Sequence, residues 1–357
     1  MESSPTPLPH ATSPTPVLGL FEKRIEGDDC LLELARRRFQ EAGLGAEMHA
    51  GSPGQLEQLL EYRPSETSPV VLHLPRDFNL TDAHSQGRIL DFATQFAGRV
   101  RGLVLHDHPD LVTRPEAFLK SALEMETWLE RIDRGPMLFI EYAAGLDPAV
   151  FAKFLDSIRH LTRVSACIDT GHVGIWQARQ TYARAHPGQD VCALKSQPAD
   201  LPRLMPDVET AVQSALPAVL HLIQILGSFG KPLHFHLHDG HPLSAFSPFG
   251  VSDHLSFLSE IPLPFEYRGR RSAPLLFGAD GLRRIVDQAT RSLGTQRLSF
   301  TLEIHPTFER LPLDDAAPLF VHWVNKTNAE EMNHWLSVLS RNSALLKAAL
   351  EGAAGPG

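Results

Sequence analysis

The sequence predicts a single (β/α)8 barrel, and three observations carry that expectation. Eight short apolar segments recur along the 357 residues, separated by longer stretches of helical period. Polar residues gather at the C-terminal ends of those segments, which in a parallel barrel all open onto one face. No glycine-rich dinucleotide fingerprint follows the first segment, which removes the main signature of an open, doubly wound sheet.

In chain order the predicted strands are Val17–Leu20, Ala46–His49, Val70–Leu74, Gly102–His106, Met137–Glu141, Val164–Asp169, Pro232–Leu237 and Leu298–Glu303. Helical spacing predicts helices over Asp28–Ala42, Gln55–Tyr62, Asp82–Phe96, Arg114–Arg131, Pro148–Leu161, Val208–Phe229 and Ala279–Leu293. Gly43 and Gly45 suit a C-cap after the first helix, and Asp147-Pro148 reads as an N-cap followed by proline at the first helical position. Asn328 with Glu331 resembles a capping box opening an additional C-terminal helix, Ala329–Leu350, that Trp323 and Trp335 are expected to seat. Trp128 is expected to pack. His186–Pro206 and Gly240–Gly278 are rich in proline and predict long loops after strands 6 and 7, the second without regular structure. The Pro/Ser/Thr-rich residues 1–16 predict a disordered tail, leaving residues 17–350 as a single TIM-barrel domain.

A net charge of -9 and a pI of about 6.0 give no global basic field, which disfavours nucleic acid as a partner and points to a small-molecule substrate. A homo-oligomer is compatible with this reading. The three cysteines, Cys30, Cys167 and Cys192, form no CxxC pair, which argues against a disulfide framework and for a reducing, cytoplasmic setting. No uninterrupted run of about eighteen apolar residues occurs, so no membrane span is expected.

The chemistry concentrates where polar side chains end the apolar runs. Pro232–His241, PLHFHLHDGH, alternates Leu233, Phe235 and Leu237 with His234, His236 and His238. Other runs end in His73, in His106 and His108, in Glu141, in Asp169 with His172, and in Glu303 with His305. A closed barrel brings these ends to one mouth, where unpaired buried carboxylates are costly unless a cation offsets them. A mixed histidine and carboxylate set suits Zn²⁺, Mn²⁺, Co²⁺ or Fe²⁺ rather than Ca²⁺. The expected cofactor is therefore a divalent metal, with manganese, zinc, cobalt or magnesium as candidates.

The ordered motifs are H-x-P-x-x-x-N in His73–Asn79, the strand-end His106, E-x-x-A-G in Glu141–Gly145, D-T-x-H in Asp169–His172, H-L-x-D in His236–Asp239, D-H in Asp253–His254 and L-E-x-x-P in Leu302–Pro306. Together, over about residues 17–310, they resemble the xylose isomerase-like TIM-barrel superfamily, which includes sugar isomerases, epimerases and endonuclease IV-type enzymes. In its single-metal members the resemblance implies metal ligands at Glu141, Asp169, His236 and Glu303. It implies Glu141 and Glu303 as the acid/base pair and His172 against the substrate. The endonuclease IV type implies a three-zinc cluster that also recruits His73, His106, His172, Asp253 and His254. Here Asp253 and His254 are adjacent, whereas the nuclease pattern separates them by one residue. Arg76 and Asp77, after His73, replace the apolar wedge of a DNA-invading loop. Arg270 and Arg271 in the RGRR run, together with His238, are candidates for substrate binding. The expected function is metal-dependent isomerisation or epimerisation of a sugar, polyol or related hydroxycarbonyl compound. The alternatives are a zinc-dependent phosphodiesterase of the abasic-site repair type and a non-catalytic metal- or sugar-binding barrel.

Overall fold

The computed structural model describes residues 15–21, 28–143, 145–189, 201–240, 254–258, 261–273, 276–304 and 329–353. The expected tail, apart from its last two residues, lies outside them, as do Cys192, Asp253, His305, Trp323 and Asn328. Seven strands open the barrel: β1 (Val17–Leu20), β2 (Gly45–His49), β3 (Val70–His73), β4 (Gly102–His106), β5 (Met137–Glu141), β6 (Val164–Asp169) and β7 (Leu233–Leu237). A hairpin of β8 (Ile261–Tyr267) and β9 (Arg270–Ala273) stands outside the barrel, and β10 (Leu298–Leu302) closes it between β7 and β1. All eight barrel pairings are parallel.

The helices are α1 (Asp29–Glu41), α2 (Pro53–Leu60), α3 (Ala83–Gln95), α4 (Asp110–Thr113), α5 (Pro115–Leu129), α6 (Pro148–Ser157), α7 (Thr170–Ala185), α8 (Leu201–Val212), α9 (Ala215–Gly227), α10 (Gly278–Leu293) and α11 (Ala329–Ala353). Local chemistry explains several boundaries. Asp28 accepts from the amides of Cys30 and Leu31, and Asp147 accepts from that of Ala149 with Pro148 behind it, so both helices start where orphan N–H groups find a carboxylate. Gly43 takes the left-handed conformation that ends α1, at φ +60°. Trp335 is buried against the barrel and donates its indole N–H to the Ile304 carbonyl, which seats α11.

Strand alternation sorts the two barrel layers. Met48, Leu72, Leu105, Ile140, Ile168, Phe235, Leu237 and Phe300 belong to the large core cluster that the strands share with the helices. The other face points inward and begins with an apolar floor of Leu18, Val71, Val104, Phe139 and Cys167. One step up β3, β4, β5 and β6, that inward face becomes ionisable, at His73, His106, Glu141 and Asp169. Register aligns His49 with His73, His106 with Glu141, Asp169 with His236, and His236 with Thr301.

Several expectations need correction. No long loop follows β6; α7 begins at once, because the Asp169 side chain caps it by accepting from the His172 amide. The proline-rich segment after His186 therefore connects α7 to α8 and does not sit at a strand end. Within Gly240–Gly278 the chain forms a hairpin, turned by Arg268 and Gly269 at φ 50° and 74°. Paired left-handed residues match the twist of a tight β-turn, and prolines at 262 and 264, two apart, direct their missing N–H groups to one strand edge. The helix predicted over Val208–Phe229 is two helices, α8 and α9, with Pro206 inside the first. Pro202–Gly227 is long and apolar enough by length and composition to cross a membrane, a stretch that counting uninterrupted apolar residues overlooks because Arg203, Asp207, Glu209, Gln213, His221 and Gln224 are among those that interrupt it. In the fold it supplies α8 and α9, which pack against α7, and α9 also against α10. Trp128 is 51% exposed, with the Arg131 guanidinium over its ring.

Candidate metal centre

Four side chains on four strand ends converge inside the barrel. Glu141 ends β5, Asp169 ends β6, His236 lies on β7, and Glu303 follows β10; each offers a ligand atom within 4.8 Å of those of the others, and all four are buried. His236 stands at the centre. Its Nδ1 is 3.2 Å from Glu141 Oε1 and 3.1 Å from Glu303 Oε2, while its Nε2 faces Glu47 Oε1 at 2.9 Å. Asp169 divides its oxygens. Oδ1 accepts from the His172 amide and from His238 Nε2 at 3.0 Å, whereas the buried Oδ2 has no hydrogen-bond partner among the described residues.

The donor set fits a cation. His73 Nδ1 donates to the Leu74 carbonyl at 3.1 Å, so its Nε2 turns an acceptor lone pair toward Glu141 Oε2, 3.3 Å away. His236 repeats the arrangement: a hydrogen on Nε2 serves Glu47, and Nδ1 then faces two carboxylates. Lone pairs facing lone pairs in a buried site require a proton or a metal ion between them. Burial lowers the pKa of the His236 imidazole, yet Cys167 and the carboxylates of Glu47, Glu141 and Glu303 carry it well above the ordinary histidine value. Burial likewise pushes the Glu141 carboxyl up, but His106, His236 and His73 hold it well below the usual range. A divalent ion can take the protons' place among Glu141, Asp169, His236 and Glu303.

Two further groups adjoin this one. His73 and His106 both direct Nε2 at Glu141 Oε2, each at 3.3 Å, so the two oxygens of Glu141 serve different imidazole sets. On the other side, Asp169, His172, His238 and His254 form a buried group, with the His238 and His254 rings stacked at 4.0 Å. His254 Nε2 lies 3.5 Å from Glu303 Oε1. Among the described residues neither ring nitrogen of buried His172 has a hydrogen-bond partner, although its Nδ1 stands 3.6 Å from Asp169 Oδ2.

The remaining expected residues are placed as follows. His238 is fully buried with both nitrogens engaged, Nδ1 on the Asp239 carbonyl and Nε2 on Asp169, so its hydrogen-bonding capacity is spent inside the barrel. A Cβ on Gly171 would run into the His238 ring, which explains the glycine inside the D-T-G-H motif. Asp239 holds backbone rather than an imidazole, accepting from the amides of Gly240, Phe277 and Gly278 and so tying together both ends of the long segment after β7. Arg270 is exposed on the hairpin, and Arg268 pairs with Glu209 of α8. Of Arg271 the described structure gives only its place in β9.

Glu47 was not among the expected site residues, although it is completely buried at the centre of the polar layer. The signal available was the spacing in Glu47-Met48-His49: two ionisable side chains on one face of a strand whose other face is apolar. The His49 ring lies 4.5 Å from that of His73, tilted by 43°.

No family model matches the chain, and no curated protein sequence matches it. Among solved structures the chain is similar to the carboxyl transferase domain of Rhizobium etli pyruvate carboxylase, at 11% identity and a TM-score of 0.38, covering 95% of this chain and 48% of that one. The same domain with pyruvate and biocytin gives 11% identity, a TM-score of 0.35, and coverage of 94% and 48%. The T882A enzyme from the same organism with the allosteric activator acetyl coenzyme-A gives 11%, 0.37, and coverage of 94% and 25%. The chain thus spans half or less of these proteins, and at such values the likeness carries no inference about chemistry.

Proposed function

We propose that this chain is a divalent-metal-dependent enzyme that isomerises or epimerises a small hydroxycarbonyl compound of the sugar or polyol class. The observation that carries the reading is the convergence of Glu141 and Glu303 on one nitrogen of His236, at 3.2 and 3.1 Å, with Asp169 in the same group. A divalent ion held by these four residues supplies Lewis-acid polarisation of a carbonyl and its neighbouring hydroxyl. The carboxylates have a second task. Each keeps an oxygen turned away from His236, and those oxygens are positioned to take a proton from one face of a substrate carbon and return one. Glu141 Oε2 is backed by His73 and His106, and Glu303 Oε1 by His254, so each carboxylate has an imidazole with which to exchange its proton. His172, whose ring nitrogens have no hydrogen-bond partner among the described residues, orients a substrate oxygen.

Small-substrate chemistry is further supported by the segment after His73. Phe78 is buried and Arg88 lies 4.4 Å above its ring, so the aromatic packs against the fold instead of projecting as a wedge.

A second reading, metal-dependent phosphoester hydrolysis, is favoured by one observation: Glu141 faces two separate histidine sets, the arrangement a carboxylate bridging two ions requires. Incubating the metal-loaded protein with a panel of aldoses, ketoses and hydroxyacids in D₂O tests the first reading. Deuterium incorporation next to the carbonyl, with one ion per chain by elemental analysis, is the expected result. No incorporation across the panel, with two or three ions per chain and phosphate released from phosphoesters, would overturn it.

A further inference from the structure

We infer that Glu47 is a positioning residue that decides which nitrogen of His236 meets the ion: it keeps the hydrogen on Nε2 and presents Nδ1 as the ligand atom. The inference rests on the metal reading above and adds a residue outside the four proposed ligands.

Glu47 lies on β2, separated round the barrel from β7 and His236 by β1 and β10, and is fully excluded from solvent. Its Oε1 is 2.9 Å from His236 Nε2. Its Oε2 accepts from Thr301 Oγ1 at 2.5 Å and from His234 Nε2 at 3.1 Å. His234 is anchored in turn, with Nδ1 2.7 Å from Ser299 Oγ. The carboxylate is therefore held on both oxygens by side chains from β7 and β10, and has no freedom to turn away from His236. An ionised carboxylate only accepts hydrogen bonds, so the imidazole nitrogen facing it must carry the hydrogen. In neutral imidazole that leaves the lone pair on Nδ1, the atom that lies 3.2 Å from Glu141 and 3.1 Å from Glu303. A partner of this kind fixes both tautomer and ring orientation of a metal-binding histidine. The competing arrangement, in which Glu47 itself binds the ion beside His236 and His73, requires a lone pair on His236 Nε2 instead.

The two arrangements differ at one nitrogen, which can be read directly. The full-length protein, labelled with ¹⁵N in histidine and loaded with zinc, should show an imidazole with zinc on Nδ1 and hydrogen on Nε2 in two-bond ¹H–¹⁵N spectra. Glu47→Gln should remove that Nε2–H signature and weaken zinc binding about 10–100-fold in chelator competition. Zinc on Nε2 of His236, or a folded Glu47→Gln protein that binds zinc as tightly as the parent, would overturn the inference while leaving the metal reading intact. Should Glu47→Gln fail to fold, the spectrum of the unaltered protein decides alone. A parent protein that binds no zinc, manganese or cobalt overturns the metal reading and this inference with it.

Discussion

The barrel interior has two walls that treat buried carboxylates in opposite ways. On the wall built by β2, β7 and β10, Glu47 is met by His234, His236 and Thr301, and its anchors have anchors of their own. On the wall built by β5 and β6, Glu141 faces three imidazoles at 3.2–3.3 Å and Asp169 keeps a buried oxygen with no hydrogen-bond partner among the described residues. A satisfied buried charge supports its neighbours, whereas an unsatisfied one carries a desolvation cost that only a ligand removes. The difference separates scaffold from site inside one continuous polar layer.

The comparison can be broken from the scaffold side first, where the effect should be largest. Glu47→Ala strands His234 and His236 in the interior, and should cost about 3–5 kcal/mol of stability in chemical denaturation. A cost under about 1 kcal/mol would show that the Glu47 wall is not a scaffold. Glu141→Gln tests the other wall: the protein should still fold, while affinity for a divalent ion falls by about 100-fold or more, beyond what losing an outer partner costs. Unchanged affinity would remove Glu141 from the ligand set.

A smaller effect sharpens the boundary between the walls. Burial opposes the charge on His238, but Asp169 prevails and carries its pKa up to about 9 in the metal-free protein, above the ordinary value of 6.5. A raised folded-state pKa means the paired imidazolium contributes fully below about 6.5 and loses its contribution as pH rises through about 9. The stability of chelator-treated protein should therefore fall between these limits, by about 3 kcal/mol if His238 acts alone, and the thermal midpoint should fall with it. His238→Asn should flatten that slope. A midpoint that rises with pH over the same window would show that His238 and Asp169 are not paired.

Much of this architecture was legible in the residues. β1, β4, β5 and β6 occupy the ranges that their apolar alternation predicts, because each strand writes its inward and outward faces into adjacent positions. Glu141, Asp169, His236 and Glu303 stand out as polar residues at the ends of apolar runs, but so do His73, His106 and His305; the family resemblance singled out those four, and the fold shows that their side chains meet in one group. Glu47 was hidden because its meaning depends on partners 187 to 254 residues away in the chain. Asp169 was legible as a strand-end carboxylate but not as a helix cap, so α7, over residues given no predicted element, went unread. The hairpin of β8 and β9 was obscured by its prolines, which mark turns in most settings but are tolerated in an edge strand or beside an irregularity such as the one between Pro262 and Tyr267.

The most direct test of the central claim is anomalous diffraction from crystals of manganese- or zinc-loaded protein, collected on both sides of the metal absorption edge. A peak among Glu141, Asp169, Glu303 and Nδ1 of His236 is the predicted result. Metal-loaded crystals with no peak inside that group, or with density only at surface carboxylates, would contradict it.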